Sequence, residues 1–436
     1  MVIAVSDFLT SCRATGKAAG LPNLRVAVYP GAIAVHPLED VQKNIQEIVF
    51  PQIIKLLTEP VAQGAVSSKV AAQEPAIVFQ GSFEQVNEYY TQKQWSDGLP
   101  IVPPTADKVQ TFLKFTEHSP NAVLGVLHPA LRPATVHSIA VNGVMAGCRP
   151  EYMPILVAIV QAIADPRFHL EDAGSSAGWA PLIILNGPVI ARLGFNAGTG
   201  VMRAGNQANT SVGRFLRLYL RNVAGFIPGV SDMATFGRPN FPVLAENESA
   251  SPWEPLSVTR GFAPGDSVVT VTSVGCMSYQ LTVVAQTGHD ILYNLTAKVK
   301  QTLLAGDGSV ITKGPEQAPQ LVLSPVVARS LAEAGYSKRD IQQHIFEHAK
   351  VPACEFDAWL AFQGVVNARE CVKKGLLPAQ FAESDDPQRM LPLYHAPHEL
   401  QIIVAGTPER NRFFVTQQVG RQGLATSKKI SMGLLG

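Results

Sequence analysis

Cysteine is scarce and unpaired in this chain. Its 5 cysteines among 436 residues, Cys12, Cys148, Cys276, Cys354 and Cys371, are scattered, odd in number and without a CxxC spacing. A disulfide framework and a structural zinc site are therefore not expected, whereas a reducing, cytoplasmic setting is. Charge is thin as well. Charged residues are 16% of the chain, with 35 basic against 34 acidic and a net charge of +1. Such a balance creates no field for nucleic acid or an anionic lipid surface, so neither partner is expected. Long apolar runs are also missing: the longest, Met153 to Ala164, is interrupted by Gln161 and is too short for a bilayer. The opening MVIAVSDFLTSCRATGK lacks the basic start and long apolar core of a secretory leader. The sequons at Asn209, Asn247 and Asn294 then carry no weight. No GxSxG elbow, HExxH motif or kinase-type set occurs.

Apolar residues are abundant at 46%, and 35 glycines and 32 prolines imply many tight turns. This composition favours extensive burial, and the length favours more than one domain. Residues 1–58 read as helix, strand, helix, with Ser6 as the first N-cap and NLRVAVYP as the strand. That is half of a small doubly wound α/β unit, and it cannot form a full parallel sheet alone. Residues 59–76 read as a linker, small, polar and aperiodic. Residues 77–436 form a large mixed α/β domain. Helices are expected at 83–92, 105–116, 135–147, 151–164, 210–222, 289–304, 325–334 and 337–348, and buried strands at 181–186, 267–273, 320–324 and 400–405.

Several loops offer chemistry. The stretch GPVIARLGFNAGTGVMRAGNQAN follows an apolar strand and precedes a helix, where free N–H groups favour an anion. Asn206-Gln207 replaces the Lys-Ser/Thr of a phosphate-binding loop, and the dinucleotide fingerprint is absent. The next helix carries Arg214, Arg217 and Arg221 on one face, a solvated face or an anion clamp, with Arg214 best placed to hold a carboxylate or phosphate. Cys148 lies between two expected helices, before Pro150 and beside Arg149. Placed at the positive end of the second helix, its thiol pKa would fall and the thiolate become available; a small buried cysteine is the alternative. Cys276, between strands, is a secondary candidate. Asp97 sits in the proline-stiffened turn WSDGLPIVPPT, and Asp232 and Glu254 are other loop carboxylates. His137 and Asn142 share a helix whose other face is apolar. His344 and His348 have metal spacing but no evident third ligand, so no metal is expected.

Four segments in consistent order, WSDGLPIVPPT, VNGVMAGCRPEYMP, GNQANTSVGRFLRLYLRNV and DMATFGRPNF with ENESASPWEPLSVTRG, resemble the large members of the UGSC (seleno)protein family. The resemblance spans Trp95 to Gly261. GLPNLRVAVYP and the helix after it resemble the second half of the small UGSC domain. The Sec/Cys-Gly-Ser-Cys tetrapeptide that names the family is absent, and LSPVVARSLAEAGYSKRDI lacks the histidine the family pattern places near Val327. Cys12 falls on the helix after the expected motif and is no substitute. The resemblance implies a fold, a site and a thiol-redox type of function. Either a separate small subunit bearing the tetrapeptide pairs with residues 1–58, or the chain does other work in its large domain.

The resulting expectation is an enzyme, or a large enzyme subunit, acting on a small anionic molecule by thiol-dependent redox or C–S chemistry. Cys148 would be the thiolate, and Asp232 or His137 the proton carrier. Asp97, Asn142, Arg149, Arg203, Asn206, Asn209 and Arg214 would bind substrate. A homo-oligomer is compatible, and nothing identifies a cofactor. The rival readings are a non-catalytic partner subunit and a lyase or hydratase with no redox group.

Overall fold

The computed structural model describes residues 1–60, 77–173, 178–238, 241–283, 287–306, 311–312, 319–362, 367–418 and 423–433. The expected linker, 59–76, lies outside the described residues except for its first two. Helix accounts for 45% and strand for 16%, a mixed α/β fold as the periodicity predicts.

Two sheets form the centre of the large domain. In the first, Thr426–Lys429, Val268–Val274, Ala180–Asn186 and Leu244–Ala245 lie side by side, and only the last pair is parallel. In the second, Gln401–Val404 runs parallel to Gln320–Leu323, which pairs antiparallel with Arg412–Gln417. Short strands Cys276–Met277 and Leu281–Thr282 complete that edge.

Alternation along the strands sets the layering, because successive side chains point to opposite faces. Leu182, Ile184, Val322, Ile403 and Phe414 meet in one buried cluster between the two sheets. Ile183, Leu185, Val269 and Val271 turn the other way, onto helices Val136–Met145, Met153–Ile163 and Gln207–Tyr219. Leu321, Leu323, Ile402 and Val404 likewise turn onto helices Gly288–Ala305, Pro325–Glu333 and Lys338–His348. The result is a helix–sheet–sheet–helix stack. Strands buried on both faces carry no charge and read as largely apolar runs, with Thr270, Thr272 and Ser273 the buried hydroxyls of Val268–Val274.

The ends of the stack are tied by a polar network that sequence reasoning missed. Asn186 ends its strand and donates from Nδ2 to Glu246 at 2.7 Å and Glu248 at 3.0 Å. Glu246 also accepts from the backbone N–H of Leu256 (2.9 Å) and Val404 (3.3 Å), so one buried carboxylate spans both sheets. Buried Lys338 donates to the carbonyls of Glu254 (2.6 Å) and Ile402 (3.0 Å). Burial pushes Glu246 up and Lys338 down from their ordinary pKa values.

At the N-terminus a strand that the sequence reading missed, β1 (Val2–Val5), precedes the first helix. It pairs in parallel with β2 (Val26–Tyr29). The helix α1 (Leu9–Ala18) begins later than expected, and its N-cap position is Phe8, not Ser6. The Ser6 hydroxyl instead accepts a hydrogen bond from the Gly31 N–H at 3.0 Å. Residues 38–58 form α2 (Leu38–Asn44), a π-turn (Ile45–Val49) and α3 (Phe50–Thr58).

Gly213 lets the helix Gln207–Tyr219 lie directly on the chain at Phe241, where an added Cβ would stand 2.3 Å from the Phe241 carbonyl oxygen. Gly213→Ala is therefore expected to cost about 2–3 kcal/mol by overpacking against backbone. A thermal melt reads this; an unchanged midpoint would mean the close approach is not maintained in solution.

Candidate functional site

The segments expected to carry chemistry do come together, but they neutralise one another. Arg214 projects from the helix Gln207–Tyr219 and holds Asp97 through two bonds, Nε to Oδ2 at 2.9 Å and Nη2 to Oδ1 at 2.8 Å. It also donates to the carbonyl of Pro100 at 2.9 Å. One turn on, Arg217 lies 3.9 Å from Asp232, which also accepts from the N–H of Ala234 at 3.3 Å. Arg221 donates to the Gln94 carbonyl at 2.6 Å, and Asn222 to the Trp95 carbonyl at 3.0 Å. The arginine face is therefore neither solvated nor an open anion clamp. It is a row of donors that straps the turn 94–100 onto the helix. Burial alone would raise the Asp97 pKa, yet the Arg214 bonds and charge outweigh it and the net direction is down.

Cys148 departs furthest from expectation. Gly147 takes a left-handed conformation (φ 78°), and the Cys148 N–H bonds the Gly143 carbonyl at 3.1 Å. Cys148 thus lies, as expected, between two helices: it closes the C-terminal, negative end of Val136–Met145 and immediately precedes the next helical segment, in which Arg149 is the N-cap and Pro150 the first residue. Burial pushes its thiol up to about 12, against weaker lowering by Ser211 and Arg214. Burial thus favours the neutral thiol, against the expected thiolate. The buried cysteine of the alternative reading is what the structure contains. Its neighbour Ser211 is only 6% exposed, and its hydroxyl faces the thiol.

The remaining candidates are mostly structural. Asn209 is fully buried, accepting from the Asn196 N–H (2.8 Å) and donating to the carbonyls of Asn196 (2.9 Å) and Val243 (2.8 Å). Asn206 caps the helix by accepting from the Asn209 N–H at 3.1 Å and donates to the Gly194 carbonyl. Neither is left to orient a substrate. The glycine-rich loop also spends amides on itself: the N–H groups of Gly198, Val201, Arg203 and Gly205 all bond within 196–210. Its open anion nest is therefore not found. Arg203 is exposed on that loop. Asn142 is buried, donating to Ser138 and accepting from Asn222 at 2.9 Å each. Arg149 pairs with Glu151 at 3.3 Å and lies over the Tyr152 ring. His137 stands in the first turn of the helix Val136–Met145, and Cys148 follows its opposite end. Burial lowers the His137 pKa.

Cys276 sits elsewhere, lining a cavity of about 280 Å³ with Arg238, Phe241, Met277 and Tyr279. Burial raises its pKa, with Arg238 and Lys298 opposing. His344 and His348 stack at 4.2 Å, and His289, missed in the sequence, stands 6.2 Å from His344. Even so, among the described residues no three ligand-type side chains converge as a metal site.

The chain is thus a mixed α/β protein with a thiol, a hydroxyl and a salt-bridged arginine at one helix junction. Among the described residues no single helix is long and apolar enough to cross a membrane. No family model, curated protein or solved structure matches the chain.

Alkylation tests the state of the thiol. Iodoacetamide at pH 8, read by mass spectrometry, is expected to label exposed Cys354 and spare Cys148 until the protein is denatured. Rapid labelling of Cys148 in the native protein would contradict its burial.

Proposed function

We propose that the chain is an enzyme of the UGSC type acting on a small carboxylate-bearing molecule where Cys148, Ser211 and Arg214 meet. One observation carries the reading: a guanidinium already holding a carboxylate in a fork-to-fork pair, next to a buried thiol and a buried hydroxyl. Such a pair is the geometry by which arginine recognises carboxylates in general. Asp97 then stands in for the substrate and leaves Arg214 when the turn 94–100 lifts. Gly98 takes a left-handed conformation in that turn, φ 91°.

The neutral thiol favours proton transfer over thiolate attack. When water adds to the β-carbon of a bound α,β-unsaturated carboxylate, the electron pair passes to the α-carbon, the Cys148 thiol gives that carbon its one proton, the proton released by the water returns to the thiolate, and Ser211 hydrogen-bonds the enolate oxygen. This is lyase or hydratase chemistry. All five cysteines are free, and a dithiol cycle would need a second sulfur beside Cys148.

The test is direct binding. Asp97→Asn keeps the shape of the turn and removes the competing charge, so malonate or succinate should bind at least tenfold more tightly than to the unaltered protein by isothermal titration calorimetry. Adding Arg214→Met should abolish that gain. Equal affinities in all three proteins would dispose of the Arg214 site.

A further inference from the structure

Three arginines share one helix face, and two of them have hydrogen-bond partners. Arg214 has two bonds to Asp97 and one to the Pro100 carbonyl. Arg221, in the π-turn Leu220–Ala224 that continues the helix, donates to the Gln94 carbonyl at 2.6 Å. Arg217, between them, is different. Its side chain is only 26% exposed, yet among the described residues it donates no hydrogen bond. The Asp232 carboxylate stands 3.9 Å away, beyond hydrogen-bonding reach.

The shortfall is in charge as well as in hydrogen bonds. Arg214, Arg217 and Arg221 face two carboxylates, Asp97 and Asp232, and among the described residues no third carboxylate pairs with them. Arg221 feels the imbalance: burial and the charge of Arg217 push its pKa down, with Asp97 opposing. A guanidinium carries five N–H donors and keeps its proton in proteins. Holding one largely out of water, with neither a bonded acceptor nor a balancing charge, is costly. The cluster therefore holds one positive charge more than its own carboxylates balance, and it does so one turn from Arg214.

Spacing narrows the kind of anion that suits it. Arg214 and Arg217 are three residues apart on the helix Gln207–Tyr219. Side chains so placed are neighbours on one face, with Cβ atoms roughly 5–6 Å apart. A single carboxylate on Arg214 replaces Asp97 and leaves the Arg217 donors open. Two carboxylates on a short carbon chain match both guanidiniums at once. Attachment at two points also fixes how a double bond between the carboxylates is presented, which one point cannot do.

We infer that the substrate class is a short dicarboxylate and that Arg217 is its second anchor. One carboxylate takes the Arg214 fork from Asp97, and the other takes the open N–H donors of Arg217. The inference rests on the Arg214 site of the proposed function and adds the residue that selects two carboxylates over one.

Calorimetric titration of the full-length Asp97→Asn protein with succinate and butyrate tests it, since the two ligands share four carbons and differ by one carboxylate. Succinate should bind at least tenfold more tightly. Adding Arg217→Gln should bring succinate down to the butyrate level and leave butyrate within twofold. Arg132, exposed and bonded to the Asn222 carbonyl at 2.8 Å, supplies the control. Adding Arg132→Gln instead removes one positive charge near the same helix end and should leave the preference within twofold, which separates contact from general attraction. If the Arg217→Gln protein loses its circular dichroism, the succinate-to-butyrate ratio of Asp97→Asn decides. Equal affinities there, both lost on adding Arg214→Met, overturn the second anchor and leave the Arg214 site standing. A preference for succinate that survives in folded Arg217→Gln overturns it too. Binding of neither ligand removes the Arg214 site, and this inference with it.

Discussion

Burial of both faces of both central sheets is the constraint on which the architecture depends. A strand such as Ala180–Asn186 has helices on one side and a second sheet on the other, so it tolerates no charged side chain along its length. In that strand the polar residue stands at the end. There Asn186 donates to Glu246, Glu246 accepts from backbone N–H groups, and Lys338 donates to backbone carbonyls, because a buried polar group without a partner is costly. The network therefore marks where the stack stops, and its hydrogen bonds bind one sheet to the other.

The same economy of charge explains the candidate site. With 16% charged residues, three arginines on one helix are a conspicuous concentration. Each is used to seat one stretch of chain: Arg214 on Asp97 and Pro100, Arg217 near Asp232, Arg221 on Gln94. A half-buried guanidinium needs a partner, and an internal carboxylate is the nearest one in the absence of ligand. Under the proposed function, recognition of a substrate carboxylate and closure of the turn would compete for the same donors. That competition would make binding and opening one event.

The N-terminal unit obeys the opposite logic. A two-stranded parallel sheet with one helix layer leaves apolar surface that no part of its own core covers. Gln52 caps one edge with a side chain, and among the described residues nothing comparable caps the other.

Local chemistry was legible in the residues themselves. The eight expected helices and four buried strands of the large domain fall within a few residues of the observed ones, because hydrophobic period is a property of neighbouring positions. β1 escaped notice because four aliphatic residues carry no alternation to distinguish a strand from a helix start. The thiol's state and the fate of the arginines were not legible. They depend on Arg214 meeting Asp97 across 117 residues and on how deeply Cys148 is buried. Sequence determined which residue types stood at each helix end and loop. Tertiary packing alone decided which charges cancel, since Coulomb and desolvation energies follow distance and burial in space, not separation along the chain.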